Sequence, residues 1–161
     1  MFAETLYLQE VLKRIHKEME TENEEIVFTD QQVTLKFNAA IPYIRANCHG
    51  FLRTEQFRAM AYKVAETLAE KNSDYPVINF LVDTTELLIV DYKDLEWAAK
   101  EGDVLFYQLG VRKLAFIVPE TKFEKFYLNT YQYHATRDPK NNVQREQFKT
   151  EEEAIAWLQQ P

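Results

Sequence analysis

The sequence predicts a single α/β domain: a mixed, mostly parallel β-sheet with an antiparallel hairpin at its N-terminal side, flanking helices and one extra N-terminal helix. Three observations point there. Apolar β-branched runs alternate with helix-period segments from residue 42 to the end, as in strands joined by helical crossovers. Two of these runs, VINFLVD (77–83) and KLAFIVP (113–119), bracket a helical stretch and so make a β-α-β unit, whose crossover is right-handed. The 161 residues include only 3 Gly and 5 Pro, which leaves most of the chain to regular elements with short connections.

Residues 2–20 form an amphipathic helix, with Leu8, Leu12, Ile15 and Met19 at spacings of four, three and four. The polar run Glu20–Glu25 ends it, and residues 25–161 make up the rest of the one domain. Strands follow at Ile26–Thr29, Val33–Asn38 and Pro42–Cys48, with Asp30-Gln31 as the hairpin turn between the first two. Thr54 caps a helix carrying Phe57, Met60, Ala61, Val64 and Leu68, which the cluster Asn72–Pro76 stops. The strand Val77–Asp83 leads to a helix opening at Asp91, where Asp91 and Asp94 put two carboxylates in the first turn. That helix runs through Leu95, Trp97 and Ala98 and breaks or bends near Gly102. The strand Lys113–Val118 ends at Pro119, and Thr121 with Glu124 makes a capping box for a helix with Phe123, Phe126, Tyr127 and Tyr131. An edge strand, Val143–Phe148, and a last helix capped by Thr150 with Glu153 close the chain. There are no repeats, no low-complexity segments and no linker long enough to divide it.

Composition excludes several classes. A hydrophobic fraction of 46% argues against disorder, and a net charge of -7 makes nucleic acid a poor partner. The acidic balance also works against anionic membranes, although a local patch could still bind one. No window approaches the roughly 20 apolar residues of a membrane span, and the N-terminus lacks the pattern of a signal peptide. The single Cys48 makes no internal disulfide, which fits a cytoplasmic location.

Chemistry-bearing motifs are sparse. Gly50, Gly102 and Gly110 stand alone, so no phosphate-cradling loop is present. Ser73, the one serine, lies in a helix-ending turn and not at a nucleophile elbow. Cys48 and His49 are neighbours on a strand and point to opposite faces, so Cys48 reads as a buried structural thiol. His16 and His134 have no His or Cys at helical spacing, and no metal or other cofactor is expected. Asp83, Glu86, Asp91 and Asp94 read as strand-end and helix caps before metal ligands or acid–base groups.

Two candidate sites remain. Ligands and partners of β-α-β units meet the sheet at the carboxyl ends of its strands, a rim that here carries Thr84, Thr85, Asp91 and Tyr92. The aromatic stripe Phe123, Phe126, Tyr127, Tyr131 and Tyr133 is either core packing or, beside Phe106, Tyr107 and Phe116, the wall of an apolar pocket. The N-terminal helix either covers the sheet or pairs with a second copy of itself.

Several motifs in order resemble the SpoIIAA-like branch of the STAS proteins, a fold shared in outline with CRAL-TRIO lipid-carrier domains. They are His49-Gly50-Phe51, Thr54-Glu55-Gln56-Phe57, the segment IVDYKDLEWA at 89–98, Leu109–Pro119, and Phe148 with Glu152–Leu158. The resemblance implies a non-enzymatic cytosolic signalling or ligand-carrying domain of bacterial type, and a homodimer is possible. In the family's anti-sigma-factor antagonists a kinase phosphorylates a serine at the start of the helix after the central strand. Here that place, just after Asp91, holds Tyr92 and Lys93. The expected function is therefore binding of a protein partner or small ligand at the rim, without a serine phospho-switch. The alternative is carriage of an apolar or lipid-like molecule beside the 121–133 helix.

Overall fold

Six strands, β1 (Glu24–Thr29), β2 (Val33–Asn38), β3 (Tyr43–Leu52), β4 (Asn79–Val90), β5 (Lys113–Ile117) and β6 (Gln144–Phe148), lie in one sheet in sequence order. The computed structural model describes residues 2–118, 120 and 122–161, apart from the side chains of residues 16–22 and 122–127. β1, β2 and β3 pair antiparallel, and β3 to β6 pair parallel. The expected mixed sheet with its leading hairpin is thus present. Asp30 makes the hairpin turn: its Oδ1 accepts from the amides of Gln32 and Val33, both at 2.7 Å.

Parallel neighbours need crossovers. These are α2 (Thr54–Lys71), then α3 (Tyr92–Trp97), a π-helical turn (Ala98–Gly102) and α4 (Asp103–Gln108), and finally α5 (Lys122–Arg137). Right-handed crossovers between strands in sequence order place their helices on one face of the sheet. The main core lies there, uniting Ile44, Cys48, Phe80, Leu114 and Phe116 with Met60, Val64, Leu95 and Phe106. α6 (Glu151–Gln159) follows the last strand, is not a crossover, and covers the other face with Ala154, Ile155 and Leu158 over Tyr43, Leu81, Ala115 and Ile117. Period-two alternation supplies both cores from the same strands.

The bend expected near Gly102 is the π-helical turn. A Cβ at Gly102 would stand 3.3 Å from the Trp97 ring, so the glycine lets the indole close against the turn. Gly110 has φ of +108°, and a Cβ there would lie 2.5 Å from the Pro76 carbonyl oxygen; only glycine fits where α4 turns into β5.

Several boundaries differ from the sequence reading, most by one or two residues. β3 and β4 run on to Leu52 and Val90, past the expected ends at Cys48 and Asp83. The apolar run Leu87–Val90 pairs with Gly50–Leu52 after two register shifts, which extends the two strands as an arm. The cap of α2 is Arg53, and Thr54 is its first residue. Asp94 is not a helix cap: it is buried and accepts from Thr54 Oγ1 at 2.8 Å and Arg58 Nε at 3.3 Å. The N-terminal helix, α1 (Phe2–Glu22), is formed, and Phe2, Leu6, Tyr7, Leu8, Leu12 and Ile15 are exposed on it, so over residues 2–15 it does not cover the sheet.

Candidate functional site: the strand arm and the interior cavity

The arm sets the first site. β4 continues seven residues beyond Asp83, the last of its residues paired with β5, and pairs there only with the end of β3. Gly50, at φ of +64°, adopts the left-handed backbone that the shifted register of β3 requires. At the end of the arm Phe51 (54% exposed), Leu88 (62%), Ile89 (44%) and Tyr92 (57%) are held in water. Phe51 and Ile89 face each other across the two strands. With Arg53, Thr54, Glu55 and Asp91 they line a groove of about 370 Å³. Asp91 is fixed by its capping role, its Oδ1 accepting from the Lys93 amide at 2.9 Å.

The four expected rim residues separate. Tyr92 and Asp91 reach the arm's end. Thr84 lies inside the strand, is 3% exposed, and donates to the Ile117 carbonyl at 2.8 Å. Thr85 is tied back to Asp83, whose Oδ1 accepts from its amide at 2.9 Å and its hydroxyl at 2.5 Å. Strand alternation explains the split, because Thr84 and Thr85 point to opposite faces of a strand that does not stop at Asp83. On the face away from the main core, His49 pairs through Nδ1 with Glu86.

The second site is interior. Between the sheet and the helices α2 to α5 lies a cavity of about 70 Å³, within some 680 Å³ of empty space that includes its mouth. Cys48, Met60, Phe80, Phe106 and Phe116 line it, with Trp97, Ala98 and Gly102 of the bent helical segment. Phe116 packs edge-on to Tyr131 with ring centroids 5.4 Å apart, and with Phe106 these expected aromatics stand at the wall. Tyr107 and Tyr133 do not line it, Tyr133 being 54% exposed, and Phe123, Phe126 and Tyr127 lie outside the described side chains. Cys48 is buried as read, its Sγ 3.8 Å from Met60 Sδ, and burial pushes its thiol up to about 12.

The sequence reading missed Asp103. It opens α4, is 3% exposed, and accepts at Oδ2 from the Tyr131 hydroxyl and from Asn141 Nδ2 at 2.9 Å. Asn141 Nδ2 also donates to the Ala99 carbonyl at 2.8 Å, and its Oδ1 accepts from Arg145 Nη2 at 2.8 Å. Burial pushes the Asp103 carboxyl up to about 6, against the pull of Tyr131, Asn141 and the Arg145 charge. The same burial, with the Asp103 charge, holds the Tyr131 phenol well above its ordinary value. The available signal was an aspartate directly after the helix-breaking Gly102, on a segment otherwise patterned for the core. Among the described residues no group of three His, Cys, Asp or Glu is placed to hold a metal ion. No helix among them is long and apolar enough to cross a membrane.

No protein-family profile and no curated protein matches the chain. Among solved structures it is similar to an uncharacterized protein of the DUF3478 family with a SpoIIAA-like fold from Shewanella loihica PV-4. The two share 17% sequence identity with a TM-score of 0.52, over 81% of this chain and 98% of that one. At that identity the likeness concerns architecture alone, and it agrees with the strand order, the leading hairpin and the helix placement described above. The fold of this chain is SpoIIAA-like.

Proposed function

We propose that this protein is a non-catalytic cytosolic interaction module that binds a protein partner at the end of the β3–β4 arm. The observation that carries the reading is the pair Phe51 and Ile89, both exposed and lining one groove, with Leu88 and Tyr92 also exposed at the same end of the arm. Single exposed apolar residues are ordinary, whereas a contiguous group ringed by polar side chains is the anatomy of an interface. Phe51 and Ile89 act as the anchors. Arg53, Glu55 and Asp91 form the charged surround that sets orientation and selects partners. Tyr92 stands where the resemblance would place a phosphorylated serine, so recognition here works without that switch. Thr84, Thr85 and Asp91 are engaged in bonds that shape the strand and the helix start, which supports binding over catalysis.

A photo-reactive phenylalanine analogue at position 92 tests this reading. We expect one dominant cross-linked partner in cell extract, lost at least tenfold on Phe51→Asp or Ile89→Asp and weakened by Asp91→Lys, with thermal melts unchanged. The same partners at the same yield across wild type and all three variants would sink the assignment.

A second reading, carriage of an apolar molecule, is favoured by the interior cavity. At about 70 Å³ it is far smaller than a lipid tail, and a cavity of about 150 Å³ is what holds benzene in other proteins. The size points away from long-chain lipids.

A further inference from the structure

The N-terminal helix α1 is patterned to pack along one side. At a roughly 100° step per residue, Tyr7, Leu8, Val11, Leu12 and Ile15 fall within about 140° of its circumference and form one apolar stripe. Tyr7, Leu8, Leu12 and Ile15 are nevertheless exposed, and Val11 is half-buried. Helices draw most of their stability from packing such a stripe. We propose that it is covered by the same stripe of a second copy of this chain, the two α1 helices crossing antiparallel at Leu12 in a two-fold dimer. This inference is independent of partner binding at the arm, since it uses none of the arm's residues.

Charge selects the occupant. The charged residues between positions 2 and 15 are Glu4, Glu10, Lys13 and Arg14, all exposed. Lys13 lies on the back of the helix, away from the stripe, whereas Glu10 and Arg14, one turn apart, lie along the same edge of it, beyond Tyr7. A two-fold antiparallel pair sets like edges side by side, so that residue i meets j and j meets i. With Leu12 at the axis, Glu10 stands opposite the partner's Arg14 and Arg14 opposite the partner's Glu10, giving two equivalent ion pairs. Leu8 then lies beside the partner's Ile15. A parallel pair sets the charged edge against the uncharged one that carries Thr5 and Gln9, and neither ion pair forms. The edge is thus complementary to itself in one orientation.

A membrane surface fits the same stripe less well. Helices that lie on anionic lipid carry cations beside their apolar side. Here Glu4 stands in line with the stripe, and Glu10 offsets Arg14 at its edge. The area also suits a second copy. Burying the five side chains of both helices removes on the order of 1,000 Å² from water, the lower bound of a specific interface. Association is therefore modest and concentration-dependent, and α1 gains order from it.

Sedimentation equilibrium of the full chain tests the proposal. We expect a monomer–dimer equilibrium with a Kd on the order of 10 μM, as an interface at the small end of the size range gives. Leu12→Glu raises that Kd at least tenfold. Glu10→Arg and Arg14→Glu each weaken the dimer several-fold, and the two together restore it, because the ion pairs re-form with their signs exchanged. Leu12→Cys links two copies on air oxidation, since the position meets itself at the axis; Leu8→Cys links only when mixed with Ile15→Cys. The native Cys48 is buried and stays out of this reaction. A chain that remains monomeric up to about 500 μM overturns the proposal. So does a dimer that survives Leu12→Glu or is lost on Phe51→Asp, which places the interface elsewhere. Self-linking of Leu8→Cys, or charge swaps without effect, overturns the antiparallel arrangement. A monomer that binds phosphatidylglycerol vesicles and loses them on Leu12→Glu assigns the stripe to a membrane surface and overturns the dimer.

Discussion

The two faces of the sheet are built from alternate residues of the same strands and are held by opposite means. On the α6 face Arg45, with a side chain 8% exposed, reaches Glu24 at 3.1 Å and Glu151 at 2.5 Å, and Tyr43 donates to Glu24 at 2.8 Å. Burial opposes the Arg45 charge, yet the bond to Glu151 and the charge of Glu24 outweigh it and hold the guanidinium protonated. Burial likewise raises the Tyr43 phenol to about 12. Lys113 adds bonds from Nζ to the carbonyls of Trp157 at 2.8 Å and Gln160 at 2.5 Å, pinning the end of α6. The face under α2 to α5 has a larger apolar core, an interior cavity and two buried acids, Asp94 and Asp103. Directional bonds fix one face in a single arrangement. Apolar contact, which has no direction, leaves the other free to adapt around a void.

The largest effect expected from breaking this contrast is on the bonded face. Arg45→Ala leaves Glu151 without its cation and the buried Glu24 carboxylate with only the more distant Lys36, at 3.9 Å, as a cation, and lowers stability in urea by about 3–5 kcal/mol. An effect below about 1 kcal/mol would remove the ion network from the account of how α6 is held.

Next is the pH response of the cavity face. The folded-state value of Asp103 lies near 6, above the ordinary value of 3.8, so between those values the folded state binds the extra proton. Its contribution is fully present below about pH 4 and declines as pH rises through 6, by roughly 3 kcal/mol at most from the size of the shift. Asp103→Asn flattens urea-derived stability across that window. An unchanged slope in the variant would assign the pH dependence to other carboxyls.

Smaller and more diagnostic is a matched pair of enlargements. Ala115→Leu, under α6 and fully buried, forces tightly packed groups apart and costs about 1–3 kcal/mol. Ala61→Leu, at the cavity, fills empty space and changes stability by less than about 0.5 kcal/mol or raises it. Equal costs would mean that both faces are equally well packed. The smallest effect belongs to the arm: Phe51→Asp and Leu88→Lys shift stability by no more than about 0.5 kcal/mol, since both side chains already stand in water. A large loss there would make the exposed apolar group structural.

Periodicity and punctuation are local properties, and the features they encode were readable. Asp30 turns the hairpin, Gly102 marks the bend and Thr150 caps the last helix, its hydroxyl accepting from the Glu153 amide at 3.3 Å. Each acts through neighbours a few residues away. The mixed character of the sheet came from the same logic, because helical crossovers make parallel neighbours, whereas the order of the strands is seen only in the structure.

The sequence by itself therefore determined the class and its elements: six strands, a leading antiparallel hairpin, parallel strands joined by helical crossovers, and a last helix. Tertiary structure decided the sites, because each depends on pairings between residues far apart in the chain. β4 runs past Asp83 only because the end of β3 is there to pair with it, and that extension carries Thr84 inward and Phe51, Leu88 and Ile89 out. Asp103 gains its raised carboxyl from burial and its partners from Tyr131 and Asn141, 28 and 38 residues away. A single sequence shows which groups are present. Which of them lose their water together is settled only when the chain closes around them.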